Sequence, residues 1–135
     1  MMALMYYHPL GNDNYTITGT TYSGHGIGKL DFPGNQMPLY AMCDGVVAFC
    51  GLYSAVGGNP AVSCCAIQCE DNGLGTTFYI RYLHGVYNVS VGDNVVRGQL
   101  IGYSSDVGSP GSYHLHLDFS AVPNNFYPIQ GIINF

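Results

Sequence analysis

The sequence predicts an all-β domain made largely of antiparallel strands. Its composition, with 19 Gly, 7 Pro and 12 Tyr among 135 residues, favours strands and turns over helices. Short apolar or alternating runs recur between turn signals, and no window has the period of an amphipathic helix of useful length. Residues 1–135 suffice for a single domain with one core. Because the chain begins Met-Met and enters the patterned region at once, we expect it to be a piece of a longer protein.

The strands are expected at regular spacing along the chain. Asp44-Gly45 predicts a tight turn that joins the second and third strands as a hairpin. Asn72-Gly73 predicts the turn between the next two strands, which should pair antiparallel. A Gly- and Ser-rich loop, 104–112, should precede the last strand, and the residues after Ala121 should be irregular. The expected strands cover residues 15–22, 37–42, 46–53, 61–70, 76–84, 95–101 and 113–119.

The last expected strand, YHLHLDF over residues 113–119, carries the most informative pattern. Side chains two apart lie on one face of a strand, so His114, His116 and Asp118 should point one way and the apolar residues between them into a core. Two imidazoles on a rigid strand are well placed to hold a metal, or to divide metal binding and proton transfer between them. The alternative is two histidines that share a solvated strand face.

Three further residues are candidates for a site. Residues 24–34, GHGIGKLDFPG, are expected to form a glycine-rich loop that can wrap closely around a ligand, with His25 and Asp31 within it. His84 ends the expected strand 76–84. Taken alone, each of the three is explained equally well as a loop, turn or strand-end residue.

The low charge excludes several classes of partner. Charged residues make up 8% of the chain, and the net charge is −5 with three Lys plus Arg. No basic patch is therefore expected for nucleic-acid phosphates or for steering toward anionic lipid or wall polymer. No apolar run is long enough for a membrane span, and residues 1–5 lack the basic and long apolar regions of a signal peptide.

Five cysteines leave at least one thiol without a partner inside the chain. The segment CCAIQC, 64–69, invites a zinc interpretation, but it is not a pair of CxxC motifs. On a strand, Cys65 and Cys69 would share one face and Cys64 would take the other. The pattern favours small buried hydrophobic side chains and leaves a disulfide between adjacent strands open.

In their order along the chain, these segments resemble the M23 (LytM/lysostaphin-type) zinc metallopeptidases. The early half of that family is matched by Asp31-Phe32, by PLYA at 38–41 and by DGVV at 44–47. YLH at 82–84 is similar to its YxH, the run from 91 to 102 to its V-x-x-G-D-x-V-x-x-G-Q-x-I-G, and HLHLDF at 114–119 to its HLHFE strand. The resemblance runs from about residue 17 to residue 121.

The resemblance implies antiparallel sheets around an open groove and a zinc endopeptidase that cuts peptide cross-links of bacterial peptidoglycan. It implies that His25, Asp31 and His116 bind zinc, and that His84 and His114 act on the attacking water and the transition state. It also implies action outside the cytoplasm, facing the cell wall. Delivery would then come from further domains of a longer chain, a phage particle or a secretion machine.

This set of residue types suits the chemistry. A catalytic zinc takes three N or O ligands from the protein and keeps a fourth position for water. Two neutral imidazoles and one carboxylate leave a net positive charge that activates water and polarises a carbonyl. A nearby histidine can accept the water's proton, and a second, when cationic, can stabilise the oxyanion. His8 is left over and is expected to be structural or solvated.

The chain departs from the family pattern at two points. The family's first His usually stands four residues before its Asp, whereas His25 stands six before Asp31 and position 27 is Ile. This wider spacing resembles that of peptidase domains carried by tail-tip proteins of some small phages. Tyr113 precedes the HxH pair, where Pro is common.

Two other functions are weighed against a peptidase. A catalytically inactive M23-fold domain would act as a scaffold or binding module in a phage, division or secretion assembly. Such domains usually lose a ligand, whereas every candidate position here holds a titratable residue. An unrelated carbohydrate-binding β-sandwich would be expected to expose Trp, and the chain has none.

Overall fold

The computed structural model describes residues 7–11, 29–54, 61–69, 77–125 and 127. Within these ranges the chain forms strands and turns and no helix, so the described part also contains no helix able to cross a membrane. The strands are β1 Lys29–Pro33, β2 Pro38–Tyr40, β3 Gly45–Ser54, β4 Ala61–Cys69, β5 Tyr79–Leu83, β6 Val86–Tyr87, β7 Asn94–Val95, β8 Leu100–Tyr103 and β9 His114–Ser120.

These strands form two antiparallel sheets. The larger has the order β1-β9-β5-β4-β3-β7 and the smaller the order β2-β8-β6. The predicted all-β, antiparallel class is confirmed, and so is the antiparallel pairing of β4 with β5. The strand of the HxH motif, β9, lies between β1 and β5 in the large sheet, which brings segments far apart in sequence to one place.

The main core lies between the small sheet and the apolar face of the large sheet. Leu115 and Leu117 of β9 and Ile80 of β5 are fully buried in one cluster with Leu39 of β2 and Ile101 of β8. Each such side chain contributes about 1.5–3 kcal/mol on burial. The alternation predicted for β9 is confirmed, because its apolar residues face this core and its histidines lie on the opposite face of the strand.

The tyrosine of the YLH motif is part of this core. Tyr82 is fully buried; its hydroxyl donates to the Tyr40 carbonyl at 2.7 Å and accepts from the Met42 N–H at 3.1 Å. A buried hydroxyl with both roles satisfied fixes β5 against the chain that follows β2. The end of β5, where His84 lies, is thereby anchored.

The predicted hairpin between residues 37–42 and 46–53 is wrong. β2 pairs with β8 in the small sheet, whereas β3 pairs with β4 and β7 in the large one. Asp44-Gly45 therefore lies where the chain crosses from one sheet to the other, and the Asp44 carboxylate accepts a hydrogen bond from the Arg97 N–H at 2.8 Å. The true partner of β2 lies some 60 residues along the chain, beyond the reach of a local turn signal.

Four other expected elements differ from the structure or cannot be compared with it. Residues 29–33 of the expected loop 24–34 form strand β1. The expected strand 95–101 is divided into β7 and β8 by a turn in which Gly98 has a φ of 87° and the Gln99 N–H donates to the Val96 carbonyl at 3.0 Å. A positive φ ends an extended strand, and glycine allows it at low cost. The expected strand 15–22 and the turn at 71–73 lie outside the described residues.

The five cysteines form one disulfide and leave three free thiols. Cys43 and Cys69 form a disulfide, and Cys50, Cys64 and Cys65 are free thiols. Cys65 and Cys69 belong to the main core and Cys64 to a smaller apolar cluster on the other face, as the alternation predicted. The zinc interpretation of residues 64–69 is not supported, because these side chains lie on opposite faces and one is in a disulfide.

Candidate active site

Asp31 and His116 meet across the β1–β9 pair. They occupy directly opposed positions in the antiparallel register, so their side chains leave the same face of the sheet. His116 Nδ1 lies 3.1 Å from Asp31 Oδ1, and the two side chains are 12% and 19% exposed. The structure therefore joins two of the three predicted metal ligands, which are 85 residues apart in the chain.

The spacing of these two atoms fits a shared metal ion. A tetrahedral zinc with N and O bonds of about 2.0–2.1 Å requires ligand atoms roughly 3.3 Å apart, close to the 3.1 Å between His116 Nδ1 and Asp31 Oδ1. His25, the third predicted ligand, lies outside the described residues. The residues that the structure describes contain no group of three or more His, Cys, Asp or Glu able to hold a metal. A three-ligand site would therefore need a further residue.

Both ring nitrogens of His116 face carboxylates. Nδ1 faces Asp31, and Nε2 lies 3.1 Å from Asp118 Oδ2. Burial acts to lower the pKa of His116, but the hydrogen bonds to Asp118 and Asp31 outweigh it and raise that pKa above its ordinary value. The site is therefore electrostatically negative around this ring, as a cation site requires.

His84 is directed into the site by an unusual backbone conformation. Its φ is 70°, in the left-handed region that non-glycine residues seldom adopt, and its N–H donates to the Ser63 carbonyl at 3.0 Å. Such conformations are found at functional sites, where surrounding contacts hold them. The His84 ring centroid lies 4.5 Å from that of His114 and 6.1 Å from that of His116.

The hydrogen bonds of His84 and His114 define which nitrogen each ring presents. His84 Nδ1 lies 2.9 Å from the Val107 carbonyl, and His114 Nδ1 lies 2.9 Å from the Ser112 carbonyl. A carbonyl only accepts, so each Nδ1 carries a proton and each Nε2 is left for other chemistry. Burial lowers the pKa of His84 to about 4, and the neighbouring His114 adds to this effect, while the bond to Val107 opposes it.

The structure thus brings together Asp31, His84, His114 and His116, four of the five predicted site residues. The fifth, His25, lies outside the described residues. His8 lies away from the group: its Nδ1 accepts from the Leu10 N–H at 3.1 Å, and its ring packs edge-on against Phe32. The expected structural role of His8 is supported.

One pair at the site was not predicted. Arg81 lies opposite Asp118 on neighbouring strands, and its Nε and Nη2 donate to Asp118 Oδ1 and Oδ2 at 2.7 and 2.9 Å. Both side chains are almost fully buried. The sequence feature that could have indicated this pair is a single Arg in the middle of an apolar strand, in a chain with only three Lys plus Arg.

A cleft of about 640 Å³ is lined by residues that neighbour the histidines in the chain, and the four site residues themselves are not among its lining. Val86 lies two residues after His84, Tyr113 directly precedes His114, and the Ser105 carbonyl accepts the His114 N–H at 3.2 Å. Residues 104–106 of the loop 104–112 contribute to this cleft. The lining comprises Asn35, Gln36, Val86, Tyr103, Ser104, Ser105, Asp106 and Tyr113.

Comparison with known proteins finds relatives in sequence and in fold. The chain is 33% identical over 89 residues to glycyl-glycine endopeptidase ALE-1 of Staphylococcus capitis; the match covers 66% of the chain and 22% of that protein. Only about a fifth of this relative's length is therefore spanned. No protein-family model matches the chain.

Two solved structures extend the comparison. The catalytic domain of the antimicrobial peptidase lysostaphin from Staphylococcus simulans aligns with a TM-score of 0.55 and 28% identity, over 86% of this chain and 81% of that one. A zinc-containing peptidase from Vibrio cholerae aligns with a TM-score of 0.59 and 23% identity, over 80% of this chain and 34% of that one. The second likeness concerns the fold alone.

Proposed function

Because the chain contains a domain of the M23 family, we propose that it is a zinc-dependent endopeptidase that hydrolyses peptide cross-links of bacterial peptidoglycan. The observation that carries this proposal is the 3.1 Å approach of His116 Nδ1 to Asp31 Oδ1, with His84 and His114 beside them. The names of the relatives, a glycyl-glycine endopeptidase and an antimicrobial peptidase, support a peptidase. The wall as substrate rests on the family resemblance.

The zinc would be held by His116 through Nδ1, by Asp31 and by His25. Zinc bound there would supply the positive charge that polarises the scissile carbonyl and activates water. His116 and Asp31 belong to paired strands of the large sheet, and a rigid sheet keeps two ligand atoms at a fixed separation. His25 is included among the zinc ligands because of the family resemblance.

His84 and His114 take different roles in proton chemistry. With its pKa lowered to about 4, His84 is neutral at neutral pH, and its Nε2 can accept a proton or a hydrogen bond from the attacking water. It is unsuited to act as a cation. His114 also presents Nε2, so we assign the stabilisation of the oxyanion and the protonation of the leaving amine to it.

The cleft supports an uncharged peptide as substrate. Asp106 is its only charged residue among the described residues that line it, and Tyr103 and Tyr113 are each 43% exposed. Neutral amides and aromatic faces suit a peptide rich in small residues, which offers backbone groups and little charge.

The disulfide supports action outside the cytoplasm. Cys43–Cys69 joins the chain before β3 to the end of β4, and such bonds persist mainly in oxidising compartments. A wall substrate requires the same location.

The test is metal content together with product analysis. Purified protein should contain one zinc per chain and release peptide fragments with new amino termini from purified peptidoglycan. Chelation should abolish release, and added zinc should restore it. A zinc-loaded chain that binds wall material but produces no new amino termini would refute the proposal and favour the inactive scaffold.

A further inference from the structure

Asp118 is placed to act on the ring of His116. It lies two residues further along β9, on the same face, and is fully buried. Its Oδ2 is 3.1 Å from His116 Nε2, the nitrogen that points away from Asp31. A carboxylate in that position accepts a hydrogen bond from the Nε2–H group, so the proton stays on Nε2 and the Nδ1 lone pair is directed toward Asp31.

Arg81 makes a buried carboxylate possible at this point. Asp118 by itself would be costly to keep ionised without solvent. The planar guanidinium binds it through two parallel bonds, of 2.7 and 2.9 Å, the strongest geometry for this pair. Burial acts to lower the pKa of Arg81, but the bonds to Asp118 outweigh the effect of burial and raise that pKa. Arg81 therefore stays protonated.

Arg81 is in turn held in position by Tyr53 of β3. Its Cζ lies 5.7 Å from the centroid of the Tyr53 ring, within the range of a cation–π contact. Arg81 Nη2 also lies 3.5 Å from the Tyr53 hydroxyl. The chain of contacts therefore runs from Tyr53 through Arg81 and Asp118 to His116, across four adjacent strands of the large sheet.

We propose that the Arg81–Asp118 pair is a positioning device for His116, which fixes the rotation of its ring and reserves Nδ1 for the metal. This inference rests on the proposed zinc peptidase. Partners of this kind, which orient a metal ligand through its second nitrogen, change metal affinity by about 10–100-fold when removed. In this proposal Arg81 and Asp118 act through His116, because Asp118 bonds to its Nε2 and Arg81 bonds to Asp118.

The primary test is the zinc affinity of Asp118→Asn, measured by competition with a chromophoric chelator. The matched control is Ser120→Ala, which alters a buried polar residue on the same face of β9 whose hydroxyl bonds to Asn125 and Tyr127. Asp118→Asn should weaken zinc binding by about 10–100-fold, and Ser120→Ala should stay within about threefold. Equal affinities for Asp118→Asn and the wild-type chain, or an equal loss in the control, would overturn the inference.

A second variant separates positioning from folding. Arg81→Met combined with Asp118→Leu replaces the buried ion pair by apolar groups of similar size, a change that often leaves stability unaltered. Its melting temperature should stay near that of the wild-type chain, while its zinc affinity falls as in Asp118→Asn. A folded double variant with wild-type zinc affinity would also overturn the inference.

Two further measurements isolate this inference from the proposed function. In the zinc-loaded wild-type chain, NMR should find the His116 proton on Nε2 and protected from exchange, and a proton on Nδ1 would contradict the inference. Wall hydrolysis is measured in parallel: a wild-type chain that binds zinc in this way without cutting wall defeats the proposed function alone. A wild-type chain that binds no zinc defeats both.

Discussion

Replacing Cys43 and Cys69 by alanine should remove about 3.5 kcal/mol from the free energy of unfolding. The disulfide closes a loop with a sequence separation of 26, and the loop-entropy relation gives about 12 cal/mol/K, or about 3.5 kcal/mol at 25 °C. For a chain of 135 residues, the unfolding entropy is about 0.28 kcal/mol/K. The same loss therefore lowers the melting temperature by about 12 °C.

The assay is denaturant unfolding of the wild-type and doubly substituted chains without reductant. Cys64→Ala is the control, because this buried residue is a free thiol and its substitution removes the same sulfur atom without breaking a disulfide. The control should lose only about 1 kcal/mol. If the denatured, unreduced wild-type chain has five reactive thiols rather than three, the disulfide is absent and the reasoning is refuted. It is also refuted if the double variant loses no more than twice the free energy of unfolding that the control loses.

Three other predictions concern single residues. His84 should titrate near pH 4 by NMR, because burial lowers its pKa in the folded chain from 6.5 to about 4. The unfolded chain therefore binds this proton more tightly than the folded chain does. As the pH falls from 6.5 to about 4, protonation of His84 should lower the free energy of unfolding. A titration near 6.5 would contradict this. Cys50, whose pKa a hydrogen bond with Cys65 lowers to about 7 against the opposing effect of burial, should be the first thiol alkylated at pH 7.5; equal labelling of the free thiols would refute it. Gly102→Ala should cost about 1–3 kcal/mol, because the new Cβ would meet the backbone carbonyl of Val86. An unchanged unfolding midpoint would show that β6 can move aside.

The sequence predicted those features of the fold that depend on local alternation. In β9 the two-residue period placed His114 and His116 on one face and Leu115 and Leu117 in the core. It could not predict the partner of β2, because pairing with β8 depends on which sheet each segment packs into. A turn signal such as Asp44-Gly45 reports only that the chain changes direction.

At the site, motif order predicted the meeting of Asp31 with His116, which the β1–β9 register explains. The contribution of Arg81 was missed, because a strand arginine is read as solvated unless its cross-strand partner is known. Asp118 was placed on the correct face, but its bond to the second nitrogen of His116 depends on side-chain rotation. The role of His25 stays a prediction, since it lies outside the described residues.

In the proposed division of roles, His116 binds the metal while His114 and His84 move protons. The most direct test is zinc content and wall hydrolysis, measured on purified His116→Ala, His114→Ala and His84→Ala. His116→Ala should lose zinc and stability together, because metal-binding energy is also folding energy. The other two should keep zinc and fold and lose about 10²–10⁴-fold in turnover. If His114→Ala loses zinc as fully as His116→Ala, or keeps full activity, the division of roles is contradicted.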